Sequence, residues 1–248
     1  MRSAEKERRI LRRWTVAAIG SILVASLAVA ATYTPLFAAS DIQLQGVPGI
    51  PGSEVLALAR VDERSNVFHL DTRAVERRLE RDPRILEARV ATSLPDGLRI
   101  AIVARTPIGM VDTGGVGTSM DLVGADGVVI GPAGRAVDLP AFLSPDGGPV
   151  GAGSLATAAA AAGALDPSLR RAVDAVVVAP DGGLEVRLAA GFSASLGDAS
   201  ELTAKAESLA ALLAWMRDTD VRVASADLSV PGSPTAKLEQ GSNAVPIP

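Results

Sequence analysis

The chain has 248 residues, 48% of them hydrophobic but only 3% aromatic, with a net charge of −4, one His and no Cys. Without Cys there can be no disulfide or thiolate metal site, and a single His excludes a multi-histidine metal centre. Residues 1–13 hold six basic and two acidic residues, a local +4, so the remaining chain carries −8 and is a poor match for nucleic acid.

Trp14 to Phe37 contains no Asp, Glu, Lys, Arg or His over 24 residues. As a helix rising about 1.5 Å per residue it reaches roughly 36 Å, enough for a hydrocarbon core of about 30 Å. The expected element is a single N-terminal transmembrane helix over 14–37, with Ile22 and Leu27 inside the span. Trp14 at one end and Tyr33 with Phe37 at the other are placed where interfacial aromatics belong. Basic residues flank only the N-terminal side, so 1–13 is expected in the cytoplasm and the body outside. A cleaved signal peptide is the alternative, since small residues near Ala38 also follow a charged start. The apolar run exceeds the usual signal h-region of about 7–15 residues, which favours an anchor.

Asp41–Val47 reads as a short strand, with Ile42 and Leu44 alternating against Gln43 and Gln45. The glycines and prolines from Gly46 to Gly52 break regular structure. Ser53 is placed to cap a helix through Arg60, with Val55, Leu56 and Ala59 on one side. Asp71 is placed to cap a second helix through Arg81, with an apolar stripe of Ala74, Val75 and Leu79. Its charged residues, Glu76 and Glu80 among them, are expected on a solvated face, with Pro83 as the stop. Two alternating strands come next. Ile85–Thr92 carries Leu86, Ala88 and Val90 on one face, and Leu98–Ala104 carries Leu98, Ile100 and Ile102. Pro95-Asp96-Gly97 supplies the turn between them.

Further on, Ser119–Ile130 reads as a hairpin around Ala125-Asp126-Gly127, and Ala156–Leu165 as a helix. Val176–Val178, Leu184–Leu188 and Phe192–Leu196 read as strands. Asp198 and Glu201 have capping-box spacing ahead of a helix reaching Arg217, with Leu202, Ala206, Leu209 and Leu213 at helical intervals. Val221–Val223, Asp227–Val230 and Thr235–Leu238 are the expected closing strands, and 240–248 a disordered tail.

No catalytic constellation emerges. A Ser–His–acid set would need His69, which lies between Phe68 and Leu70 and reads as a surface or turn histidine. Gly114-Gly115-Val116-Gly117 lacks the Gly-Lys-Ser/Thr ending of a phosphate loop. Asp126, Asp146 and Asp181 each precede Gly, which is turn chemistry. Lys205 is expected to end in solvent. The expectation is a binding protein with no catalytic residue, metal or cofactor.

Four segments carry a resemblance: Ile42-Gln43-Leu44-Gln45-Gly46-Val47, Asn66-Val67-Phe68-His69-Leu70-Asp71, Asp82-Pro83-Arg84-Ile85 and Leu94-Pro95-Asp96-Gly97-Leu98-Arg99-Ile100. Together they resemble the POTRA domain of the FtsQ/DivIB bacterial cell-division proteins. Leu139-Pro140-Ala141-Phe142 is similar to a segment of that family's β domain. Arg84 stands where the family usually has an aromatic residue, Ala104 where it has an acid, and Val47 where it has Asn. The resemblance implies an α+β protein in five parts. These are a cytoplasmic basic tail (1–13), a transmembrane helix (14–37), a POTRA domain of order β-α-α-β-β (40–107), a β-rich mixed domain of FtsQ type (108–239) and a disordered tail (240–248).

It further implies a non-enzymatic divisome scaffold in the plasma membrane at the septum. The partners would be FtsB/DivIC-like and FtsL-like bitopic proteins and other divisome membrane proteins. By position, Asp227, Leu228, Val230, Thr235, Ala236, Lys237 and Leu238 correspond to the family's partner-binding strands. Val230, Ala236 and Leu238 would be the apolar contacts, with Lys237 giving charge complementarity. An exposed strand edge suits this role because its unpaired N–H and C=O groups accept an added strand. Two rival readings are a POTRA-bearing transport component and an exported enzyme. The first normally brings several POTRA units or a membrane barrel, and the second lacks a nucleophile–base set here.

Overall fold

A computed structural model describes residues 2–46, 49–114, 120–134, 138–188 and 191–238; of the first helix, the described side chains are Trp14 and those from 17 onward. The expectations for Val47, Gly115–Gly117, Ser119 and 240–248 lie outside the described residues. Two units are present, Met1–Ala104 and Arg105–Pro248.

Helix α1 (Arg2–Ala31) ends six residues earlier than Phe37. Thr34 precedes Pro35, and a residue before proline is driven out of the helical region. Pro35–Phe37 then forms a single 3-10 turn. Trp14, Ile22 and Leu27 therefore lie on α1 with exposed side chains, whereas Tyr33 and Phe37 lie beyond its end. Among the residues whose side chains are described, which on α1 run unbroken only from Ala17, no helix is long and apolar enough to cross a membrane.

The first unit continues with β1 (Asp41–Gln45), α2 (Gly52–Ala59), α3 (Thr72–Leu79), β2 (Ile85–Ser93) and β3 (Gly97–Ala104), the expected order. β3 is central, parallel to β1 and antiparallel to β2. The period of two turns Leu98, Ile100 and Ile102 to one face, where they share a core with Val55, Ala59, Val75 and Leu79. Gly46 leaves β1 at φ +87°, and a Cβ there would lie 2.5 Å from the Ile102 carbonyl oxygen, so only glycine fits.

Local expectations meet mixed outcomes. Asp71 caps α3 by accepting the Ala74 amide at 3.0 Å. Ser53 does not cap α2; the chain enters from Pro51, and Ser53 sits in the first turn. Leu86 is exposed, because a bulge between Ile85 and Glu87 resets the alternation and leaves Ile85, Ala88 and Val90 buried. The charged face of α3 is only partly solvated. Glu76 accepts the Val90 amide at 2.8 Å and Glu80 the Ala88 amide at 3.2 Å. β2 is an edge strand, and these carboxylates satisfy donors that would otherwise invite another strand.

Arg84 is fixed by two carboxylates. Its Nε donates to Asp82 Oδ1 at 2.9 Å, and its Nη2 to Asp82 Oδ2 and Glu54 Oε1, each at 2.6 Å. The guanidinium holds the Asp82 carboxyl below its ordinary value of 3.8. A depressed folded value means the stabilisation is complete above about pH 4 and fades as pH falls through that value. Arg84→Ala should cost the first unit about 1–2 kcal/mol near neutral pH, allowing for the part-exposed guanidinium. Hydrogen exchange of the β2 amides should show the difference from wild type shrinking in strong acid.

The second unit comprises β4 (Pro107–Asp112), β5 (Met120–Gly124), β6 (Val129–Pro132), β7 (Ala141–Leu143), α4 (Leu155–Ala164), α5 (Pro167–Ala172), β8 (Val173–Val178), β9 (Leu184–Leu188), β10 (Ser193–Gly197), α6 (Leu202–Thr219), β11 (Val223–Asp227) and β12 (Thr235–Leu238). The described strands form one nine-stranded sheet in the order β12-β11-β10-β9-β8-β7-β4-β5-β6. Parallel neighbours need crossover connections, and the helices supply two of them. α4 and α5 lie between β7 and β8, and α6 lies between β10 and β11. Ala158, Ala159, Ala161 and Ala162 are buried, so small side chains let α4 sit close to the sheet.

Several elements differ from the sequence expectations. β4 and α5 have no counterpart among them. The expected strands Val221–Val223 and Asp227–Val230 are replaced by one strand, β11, between them. α6 starts at Leu202, and Glu201, in the left-handed region at φ 49°, makes no side-chain cap. The Asp198 carboxylate turns instead to Ser200 and Lys205. Lys205 is 1% exposed rather than solvated: its ammonium donates to Asp198 O and Oδ1, both at 2.9 Å.

Candidate partner-binding edge

β12 has β11 on one side and, among the described residues, no strand on the other. Its backbone donors and acceptors along that side are open for pairing. The registers of β9 to β12 line up two rows of side chains across four strands. One row is Glu185, Ser195, Asp227 and Thr235; the other is Arg187, Ser193, Ser225 and Lys237. All eight are polar, and each is exposed or half-buried. The alternate row, Val186, Ala194, Ala226 and Ala236, faces the core under α6. The period of two thus splits this end of the sheet into a dry face and a wet one.

The residues singled out in the sequence divide between those faces. Thr235 and Lys237 are exposed on the polar face at the open edge. Val230, at 60% exposure, sits in the turn leading into β12. Leu228 is fully buried, while Ala236 and Leu238 are half-buried against the core. Those last three make their apolar contacts inside the domain, because the pairing of Ala226 with Ala236 and Val223 with Leu238 sets them on the inner face. Asp227 ends β11 and accepts the Ser229 amide at 2.9 Å. Hydrogen bonds from the Ser229 side chain and then its amide hold the Asp227 carboxyl below the usual range, so it is charged at physiological pH.

Sequence reasoning missed Ser193, Ser195 and Ser225 as members of this surface. Alternation with Leu184, Val186 and Leu188 sets Glu185 and Arg187 on the opposite face of β9. Which strands lie beside them depends on α6 carrying the chain over to β11, and no local signal records that. His69 lies elsewhere, in the first unit, stacked on Tyr33 with ring centroids 4.4 Å apart. Among the described residues no group of three His, Asp or Glu side chains is gathered to hold a metal ion.

Residues 37–105 match the POTRA domain of FtsQ type. Over longer stretches the chain is similar to curated proteins named cell division protein FtsQ. The one from Streptomyces coelicolor is 30% identical over 239 residues, covering 88% of each chain. The one from Streptomyces griseus is 31% identical over 174 residues, covering 68% of this chain and 83% of the relative. The one from Mycolicibacterium smegmatis is 31% identical over 235 residues, covering 89% of this chain, which spans 63% of that relative's length.

Proposed function

Because the chain belongs to the FtsQ family of cell division proteins, we propose that it acts as a non-enzymatic scaffold of the bacterial divisome. α1 anchors it in the plasma membrane, with residues 1–13 in the cytoplasm and the chain from Asp41 onward outside. Support for the anchor comes from the 24 residues without a charged side chain and from the exposure of Ile22, Leu23 and Leu27 along α1. Its partners are FtsB/DivIC-like and FtsL-like bitopic proteins, held together with other divisome membrane proteins at the septum.

The observation that carries the binding part is the open edge of β12. A partner segment pairing there extends an existing ladder. Backbone hydrogen bonds then supply affinity, and side-chain registry supplies specificity. Lys237 ends a row whose inner neighbours, Ser225 and Ser193, are neutral, so an acidic residue opposite it is favoured. Val230 offers an apolar contact at the corner. Leu228, Ala236 and Leu238 serve by holding the strand in place rather than by touching the partner.

Val230→Asp combined with Lys237→Glu is expected to weaken binding of the extracytoplasmic segment of the host's FtsB-like protein roughly tenfold, about 1.4 kcal/mol. Hydrogen exchange of β8 and β9 should stay as in wild type. Unchanged affinity in the folded double variant would rule out this edge. In the host, depletion of the protein should give filaments or branched, undivided cells; normal septation would refute the divisome role.

A further inference from the structure

Helix α1 ends with its terminal carbonyls already satisfied. Val29 O accepts the Thr32 amide at 3.1 Å and the Thr32 hydroxyl at 2.7 Å. Ala30 O accepts the Tyr33 amide at 3.2 Å, and Ala31 O accepts the Thr34 amide at 3.2 Å and hydroxyl at 2.7 Å. Thr32 O receives Asn66 Nδ2 at 2.7 Å. Helix ends satisfy such carbonyls with tight turns, side chains or water. Pairing them within the protein removes the need for water and lets this end lie against the apolar edge of a bilayer.

The same contacts fasten α1 to the loop before α3. The Thr32 hydroxyl, which donates to Val29 O, also lies 2.9 Å from His69 Nε2 and forms a hydrogen bond with it. Asn66 Oδ1 accepts the Phe68 amide at 2.9 Å, and Phe37 O accepts the Val67 amide at 2.8 Å. Tyr33 stacks on His69, and the Phe37 and Phe68 rings lie 5.5 Å apart. Despite this binding inside, the outer sides are apolar and open: Tyr33 is 69%, Leu36 65% and Phe68 48% exposed.

We propose that Tyr33, Leu36, Phe68 and His69 form a collar seated in the headgroup region of a phospholipid bilayer. The proposal rests on α1 being the membrane anchor. The 18 residues from Trp14 to Ala31 rise about 27 Å, just short of a hydrocarbon core of about 30 Å. Ala31 then falls at the hydrocarbon boundary, and Thr32 to Phe37 must occupy the interface. Rings with an apolar body and a polar tip suit that layer. The hydrogen bonds of Asn66 and His69 with Thr32 carry the 66–69 loop into it with the helix end. The collar therefore sets the first unit against the membrane surface instead of leaving it on a free tether.

The chain has no Cys, so single cysteines can be spin-labelled without background. The full chain would be reconstituted in phosphatidylethanolamine–phosphatidylglycerol vesicles with a label at Leu23→Cys, Leu36→Cys, Phe68→Cys or Val230→Cys. Relaxation by oxygen, which partitions into lipid, is compared with relaxation by a water-soluble nickel chelate. The Leu23 label should favour oxygen and the Val230 label nickel. The Leu36 and Phe68 labels should fall between them, with nickel access cut to a minor fraction of that at Val230. If the Leu23 label is lipid-shielded while the Leu36 and Phe68 labels match Val230, the collar is overturned and the anchor stands. If the Leu23 label is itself open to nickel, the anchor reading fails and the collar with it.

Discussion

Phe142→Ala is expected to lower the unfolding free energy of the second unit by about 3–5 kcal/mol. Phe142 is fully buried on β7, and its ring lies over Gly109 of β4 so closely that a Cβ there would come within 2.1 Å of Cζ. β7 has only three residues, yet it joins β4 to β8 through parallel pairing on both sides. Truncating its one fully buried side chain both opens a cavity and weakens the seam between the hairpin half of the sheet and the half that ends in β12. Gly109→Ala should also destabilise, through overpacking of its Cβ against the same ring. Combining Gly109→Ala with Phe142→Ala should recover part of the loss, giving a favourable coupling in a double-mutant cycle. Urea unfolding of the full chain, with hydrogen exchange assigning the change to its unit, measures all three. A loss below about 1 kcal/mol for Phe142→Ala would contradict the packing described.

Lys205→Ala should remove about 2–4 kcal/mol from the same unit. The side chain is almost wholly buried, and its ammonium is bound by both the carbonyl and the carboxylate of Asp198. Alanine leaves a void along the stem and frees an acceptor at the start of α6. Lys205→Met keeps the stem and should cost distinctly less, so the pair separates packing from charge. The hydroxyl of Ser200 and then the ammonium of Lys205 hold the Asp198 carboxyl well below the usual carboxylate range. Because the folded value is depressed, the pair persists from neutral pH down past about 3.8, where unfolded-state carboxylates take up protons, and is lost only as pH falls further. The deficit of Lys205→Ala should accordingly be flat between neutral and mildly acidic pH. α6 positions β11 and through it β12, so the variant should also weaken partner capture at the edge. Equal stability of wild type and both variants would remove Lys205 from the structural account.

The first unit is largely legible in the sequence. Its strands alternate cleanly, Asp71 announces a helix, and the Pro95-Asp96-Gly97 turn sits between two apolar runs. The departures there come from features without a local signature: the bulge that turns Leu86 outward, and the reach of Glu76 and Glu80 to the β2 edge. In the second unit, β4 is hidden because Pro107 and Gly109 look like breakers. Gly109 is in fact the place where a neighbouring ring needs room. β11 is displaced from its expected position because Ala224, Ser225 and Ala226 are too small to give a period. α1 is shorter than hydropathy alone suggests, since hydropathy does not weigh the effect of Pro35 on Thr34.

For the edge, the sequence located Thr235–Leu238 as a closing strand and Lys237 as its charge. It could not tell that Ala236 and Leu238 turn inward, or that three serines and Asp227 complete the polar face. By itself, then, the sequence determined the charge asymmetry about an apolar stretch, the strand–helix–helix–strand–strand unit and the family to which these belong. Such features rest on composition, periodicity and turn chemistry, which act between near neighbours along the chain. Only the tertiary structure decided that β12 is an edge strand of the described sheet, that Lys205 is buried and that α1 is bound to the 66–69 loop. Each of those depends on which distant segments meet, and that is set by crossover connections and core packing rather than by any local pattern.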